Sequence, residues 1–284
     1  MDPLTCNFSH LIGNAGAKEM LSHSTLPQVL IFHGPRGVGK GLFALEVAQT
    51  LLRSRKAQHP DLHIVQPDPE SDQHLVAEIR KIIDETSLPP FEAPCKVFII
   101  HDAEKMLPAS SNTLLKTLEE PPADTRFILV TSQPSLILPT IISRCSKVPF
   151  YPVPDEELTL FLQEKHHAPD AKKIALLSEG SIAEALIRLS HPKPIIPVNE
   201  LFSSKGYTEL HQILHPISDD HSTLETDRLF EEILYYIREH DPFRLESAIP
   251  LIQDARIALF HHIKLKTVLE RLFIQWQLQN SFAR

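Results

Sequence analysis

Gly34-Pro35-Arg36-Gly37-Val38-Gly39-Lys40-Gly41 is the stretch on which the fold turns. It follows an apolar run, Gln28–His33, that reads as a strand, and it opens the helical pattern Leu42–Leu52. The chain holds only 8 glycines, and four of them fall in this window. Glycine is kept where φ must be positive or where backbone must come close to something else. Between a strand and a helix, such a cluster turns successive N–H groups inward, adds the helix dipole, and places one lysine charge beside them, which together suit a polyphosphate. A glycine-rich turn without a ligand is the alternative, and the strand–loop–helix context favours the phosphate loop. The residue after the lysine is Gly41, where a working loop carries the Ser or Thr hydroxyl that holds Mg²⁺. ATP or ADP is therefore the expected ligand, with Mg²⁺ held weakly or not at all, and hydrolysis is disfavoured.

Working outward, five short strands are expected at Gln28–His33, Leu62–Gln66, Lys96–His101, Arg126–Thr131 and Ser146–Phe150, with helices between them. That alternation predicts a parallel α/β sheet covered on both faces, which explains why Val97–Ile100 is continuously apolar. The 24 prolines gather at Pro60–Pro69, Pro89–Pro94, Pro121-Pro122, Pro149–Pro154 and Pro192–Pro197 and mark connections. Beyond Pro154 the pattern is helical, with a stop and a new N-cap at Gly180-Ser181. Two apolar stripes follow, Leu229, Phe230, Ile233, Leu234 and Ile237, then Leu265, Val268, Leu269, Leu272, Phe273 and Trp276.

The 284 residues suggest more than one domain. An apolar fraction of 42 % with 23 % charged residues excludes a disordered chain. No apolar run approaches the roughly 18 residues of a membrane span, and Met1-Asp2-Pro3-Leu4 opens no secretory leader, so a cytoplasmic protein with no membrane partner is expected. A net charge of −8 argues against tight, autonomous DNA binding. Three scattered cysteines, Cys6, Cys95 and Cys145, form neither a disulfide framework nor a zinc module, and no metal site is expected. Cys145 reads as core filling and the pairs His166-His167 and His261-His262 as surface residues.

The run Lys96–Lys105 looks like the strand that ends in an acidic pair organising Mg²⁺ and water. Here the two places hold His101 and Asp102, a degenerate acidic site; a polar strand end with no catalytic role is an equal reading. A neutral imidazole is a poor partner for a hard cation.

Ser111-Asn112-Thr113-Leu114-Leu115-Lys116-Thr117-Leu118-Glu119-Glu120-Pro121-Pro122 and Ser143-Arg144-Cys145 resemble motifs of the bacterial DNA polymerase III clamp-loader subunits, an AAA+ family, and most of all its delta-prime branch. The resemblance implies an α/β fold in three parts: an AAA+ P-loop parallel-sheet domain at 1–152, a small helical lid at 153–192, and an all-α collar domain for oligomerisation at 193–284. It implies a subunit of a DNA-directed DNA polymerase holoenzyme that acts in DNA replication. The partners would be gamma/tau and delta in a hetero-oligomeric pentamer, and through it the sliding clamp and primer–template DNA. Little or no ATPase activity of its own would follow. On this resemblance Arg144 would be an arginine finger for a neighbouring ATPase, against the alternative of a local ion pair. Thr131 and Ser132 would be the polar sensor, against the alternative of hydroxyls that cap a turn. Ala183 stands where a sensor arginine follows Gly180-Ser181, and no cysteine lies between Leu52 and His63, so no zinc knuckle is implied. An ATP-hydrolysing gamma-like subunit is the alternative, opposed by Gly41, His101 and Ala183.

Overall fold

The computed structural model describes residues 6–23, 25–56, 58–190, 196, 198–204, 206–216 and 223–281. The start at Met1-Asp2-Pro3-Leu4 and most of the Pro192–Pro197 connection lie outside them.

The strands are β1 (Val29–His33), β2 (Leu62–Val65), β3 (Lys96–Ile100), β4 (Thr125–Thr131) and β5 (Ser146–Pro149). All pair in parallel, in the order β2-β3-β4-β1-β5. Each expected strand is present within a residue or two, and Gln66, His101 and Phe150 fall just outside because the pairing ends there. Helix α1 (Ala15–Leu21) precedes the first strand, and α2 (Lys40–Leu52), α3 (Val76–Thr86), α4 (Pro108–Glu119) and α5 (Pro139–Ile142) lie in the crossovers.

Side chains alternate across a strand, so a sheet covered on both sides needs apolar residues at every position of its inner strands. Leu30, Phe32, Val97, Ile99, Ile128 and Val130 face one way and pack with Ala44, Val47 and Ala48 of α2. Val29, Ile31, Phe98, Ile100, Phe127 and Leu129 face the other way, with Ile79 and Ile82 of α3 and Leu114 and Leu118 of α4. Val97 to Ile100 are all fully buried.

The chain continues through α6 (Asp155–His166), α7 (Ala171–Leu177) and α8 (Ile182–Ser190). Gly180 takes φ +76 and the Ser181 hydroxyl accepts the Glu184 N–H at 3.2 Å, so the stop and N-cap read from the sequence are both formed. Then come α9 (Val198–Ser203), α10 (Tyr207–Leu214), α11 (Thr223–His240), α12 (Leu245–Phe260) and α13 (Leu265–Ser281). The molecule divides into two compact units, Met1–Leu186 and Ile187–Arg284. In the second, Leu229, Phe230, Ile233 and Ile237 of α11 share one core with Leu265, Val268, Leu269, Leu272, Phe273 and Trp276 of α13. Those are the two stripes of the sequence, with Leu234 half-buried at the margin.

Register sets the site. His33 at the end of β1 lies beside Thr131 of β4 and Pro149 of β5, while Ile100 of β3 pairs with Leu129. The residues after β1, β3 and β4 therefore emerge along one edge, where ligands bind in open α/β sheets. Gly34, the first residue past β1, has φ +147, and a Cβ there would stand 2.1 Å from the Phe150 carbonyl oxygen. Gly34→Ala is expected to destabilise the protein by about 3 kcal/mol through backbone strain and a shifted β5 end. Urea denaturation checks this; a loss under about 1 kcal/mol would mean that the edge yields freely.

Candidate functional site

The loop after β1 bends at Gly34, Gly37 and Gly39, whose φ values are +147, +76 and +95, and α2 begins at Lys40. Lys40 is 6 % exposed. Its ammonium donates to the carbonyls of Gly34 at 2.7 Å and Pro35 at 2.5 Å. Burial pulls its pKa down to about 8, opposed by the nearby carboxylates of Glu104 and Asp102. A cavity of about 470 Å³ opens over the loop, bordered by Arg36, Gly37, Gly39, Lys40 and Gly41, by His101 and Asp102, and by Ser132. Ile182, Ala183 and Leu186 of α8 close another side.

Not all eight loop residues face this space. Val38 is buried in the core beneath α2, and its carbonyl accepts from the Asn14 side chain at 3.5 Å. Gly34 is pressed on Phe150. Gly37 meets the start of α8: the Ala183 N–H donates to its carbonyl at 3.1 Å, and a Cβ at this glycine would meet the Ser181 hydroxyl at 2.0 Å.

The two sensor-like residues part company. Ser132 borders the cavity and its hydroxyl accepts from Arg36 Nε at 3.4 Å. Thr131 is fully buried, and its hydroxyl oxygen accepts the Gln133 N–H at 3.1 Å, as a turn cap does. Glu104 fixes Ser132, accepting from its N–H at 3.1 Å and its hydroxyl at 2.7 Å. Glu104 was given no role from the sequence. Its neighbour Asp102 takes the left-handed conformation, φ +45, and that turn swings Glu104 towards a residue 28 positions away.

His101 leaves the sheet immediately after β3. Its N–H donates to the Val65 carbonyl at 2.9 Å, and its own carbonyl accepts from Nε2 of the fully buried His74 at 2.7 Å. Burial holds the imidazole pKa below its ordinary value, with His74 adding to that and Asp102 opposing it. The ring lies over Gly41: a Cβ at that position would stand 2.9 Å from His101 Cε1. A side chain at 41 would require the His101 ring to turn aside. The residues present do not suit Mg²⁺, and among the described residues no group of three or more His, Cys, Asp or Glu could hold a metal.

Arg144 lies away from the loop, just past α5. Its guanidinium donates to the Thr140 carbonyl at 2.7 Å and pairs with Glu119 at the end of α4. Its side chain is 33 % exposed. In the single chain the local ion pair is therefore formed. Cys145 is buried, donates its thiol to the Ile141 carbonyl, and has its pKa pushed up to about 12 by burial, so it is no nucleophile at neutral pH. His166, His167, His261 and His262 are exposed.

These features define the class: a phosphate-loop α/β protein of AAA+ type with a helical region after it. Thermotoga maritima RuvB, a Holliday junction branch migration motor, shares the fold, with a TM-score of 0.52 at 18 % identity over 84 % of this chain and 80 % of that one. The family model described as "DNA polymerase III, delta subunit" matches residues 15–154. DNA polymerase III subunit delta′ of Bacillus subtilis is 34 % identical over 233 residues, 76 % of this chain and 66 % of the relative. DNA polymerase III subunit gamma of Buchnera aphidicola (subsp. Acyrthosiphon pisum) is 31 % identical over 193 residues, 60 % of this chain and 53 % of the relative. The chain thus spans just under two thirds of the first relative and about half of the second. Among the described residues, no helix is long and apolar enough to cross a membrane.

Glu104 also gives the site a pH dependence. Burial raises its pKa, but the hydroxyls of Ser132 and Thr131 and the backbone N–H groups outweigh this and leave the pKa lowered. A carboxyl whose folded pKa is depressed stabilises the fold above the usual carboxylate range and ceases to do so as pH falls through the folded value. Glu104→Gln is expected to lose about 1 kcal/mol at pH 7, with the gap to the native protein narrowing towards about pH 4. Parallel urea titrations at the two pH values check it, and a gap that widens in acid would refute this reading.

Proposed function

We propose that this chain is a delta-prime-like subunit of a DNA polymerase III clamp loader, working in the cytoplasm to help place the sliding clamp on primed DNA. Its partners in this reading are gamma/tau and delta subunits in a pentamer, with clamp and primer–template DNA reached through the assembly. Residues 1–152 would be the nucleotide-type core, 153–192 the lid and 193–284 the collar through which subunits join. The observation that carries the reading is the packing of His101 on Gly41. The phosphate cradle is kept, yet the two places that would organise a cation are filled by an imidazole and an absent side chain. Such a subunit holds ATP or ADP without turning it over, and Ala183 adds no cationic sensor from the lid. A gamma-like ATPase would need all three positions restored.

In this proposal Arg144 serves a neighbouring subunit. A guanidinium offers a planar, permanently charged fork for phosphoryl oxygens. Its pairing with Glu119 holds it at the surface in the single chain, and a phosphate brought up by a neighbour would replace that carboxylate. Reconstitution with cognate gamma/tau and delta tests the reading. Arg144→Ala is expected to assemble normally by native mass spectrometry and to lower DNA-stimulated ATP turnover of the complex at least about tenfold. Full turnover in that variant removes the finger; a native chain that fails to join the complex removes the clamp-loader reading itself.

The loop makes a separate prediction. Lys40 with a pKa near 8 before ligand binds must be protonated to attract an anion. ADP affinity is therefore expected to fall as pH rises through about 8, and Lys40→Met to bind weakly with no such slope. A titration calorimetry series from neutral to alkaline pH reads both, and a flat native profile would exclude a charged role for Lys40.

A further inference from the structure

We propose that His101 is a steric stopper standing where a divalent cation would be bound, so that the loop takes polyphosphate as the metal-free anion. This rests on the reading of residues 34–41 as a nucleotide-binding element. Magnesium asks for about six oxygen ligands in a near-octahedral shell, and phosphate-loop proteins supply one of them from the hydroxyl after the loop lysine. At position 41 that hydroxyl would hang from a Cβ placed 2.9 Å from His101 Cε1, 3.6 Å from Nδ1 and 3.9 Å from Nε2. Val65 and His74 hold the main chain of His101 at 2.9 Å and 2.7 Å, so room at 41 has to come from turning the ring out of its present packing.

The nearby carboxylates are only partly engaged. Glu104 Oε1 accepts both groups of Ser132, and its Oε2 is buried away from water. Asp102 has its carboxylate 3.8 Å from the Lys105 ammonium, on a residue turned into the left-handed conformation. In place of a cation the cavity presents Arg36 and Lys40 together with the N–H groups at the start of α2. Gly41 and His101 are thus one packed unit. Restoring a hydroxyl at 41 alone overfills the site instead of rebuilding a cation shell.

Titration calorimetry on the full chain, with ADP and with inorganic triphosphate, each in excess MgCl₂ and in EDTA, tests this. The native protein is expected to bind with affinities that agree within about twofold in the two media. Gly41→Ser alone is expected to weaken binding about tenfold in both media. Gly41→Ser combined with His101→Asp is expected to recover binding and to prefer magnesium about tenfold, a coupling of the size seen between residues in contact. Far-UV circular dichroism of each variant separates lost binding from lost fold, and His101→Asp alone, which removes no glycine, supplies a second variant in which magnesium preference must rise. Native binding that magnesium strengthens overturns the role of His101 while leaving the loop reading in place. No binding in either medium overturns the loop reading and the proposal together. A double variant still indifferent to magnesium overturns the proposal.

Discussion

A parallel sheet can be joined only by crossovers, and crossovers bury both faces. From that constraint the rest of this molecule follows. With β1 held between β4 and β5, and β3 on the far side of β4, the chain leaves three strands at one edge and in nearly one plane. The phosphate loop, the His101 turn and the Thr131-Ser132 end come together there without any of them specifying the others. Just past β1 and β5, Gly34 comes so near the Phe150 carbonyl that a Cβ would stand 2.1 Å from its oxygen, which requires glycine.

Electrostatics of the site are built on scarcity of water. Lys40 is buried at the start of α2, where its ammonium donates to two carbonyls, and burial pulls its pKa down to about 8. Glu104 keeps its charge by accepting bonds from the Ser132 side of the cavity. The imidazole of His101 gives up charge to burial. The cavity therefore offers the cationic donors Arg36 and Lys40 against the single bordering carboxylate of Asp102, an arrangement better matched to an anion than to a hard cation.

Much of this was legible before the fold. The inner strands announce themselves as unbroken apolar runs because both faces are covered, and the glycines at 34, 37 and 39 mark positive φ values that are all realised. Ser181 was readable as a cap because capping depends on neighbours three residues away. What stayed hidden depends on pairs far apart in the chain. Gly41 and His101 read as two separate losses, since nothing in either residue says that they touch. Ser132 and Thr131 have equivalent chemistry, and only the strand register turns one to the cavity and the other inward. Glu104 acquires its partner through a left-handed turn at Asp102, a conformation that an aspartate adopts without sequence warning.

The same reasoning bears on Arg144. Its bond to Glu119 is the local ion pair that the sequence left as an alternative, and it does not exclude action elsewhere. With side chains 33 % and 47 % exposed, such a pair contributes between nothing and about 1 kcal/mol, because water screens both charges and two long side chains must be ordered. A doubly charged phosphoryl group that excludes water would outbid one half-solvated carboxylate. In the proposed role the pair would be a resting position and not a lock: it holds the partly exposed guanidinium just past α5, at little energetic cost to release. A pair buried to the depth of Lys40 would have argued the opposite, since breaking it would strand a charge away from water.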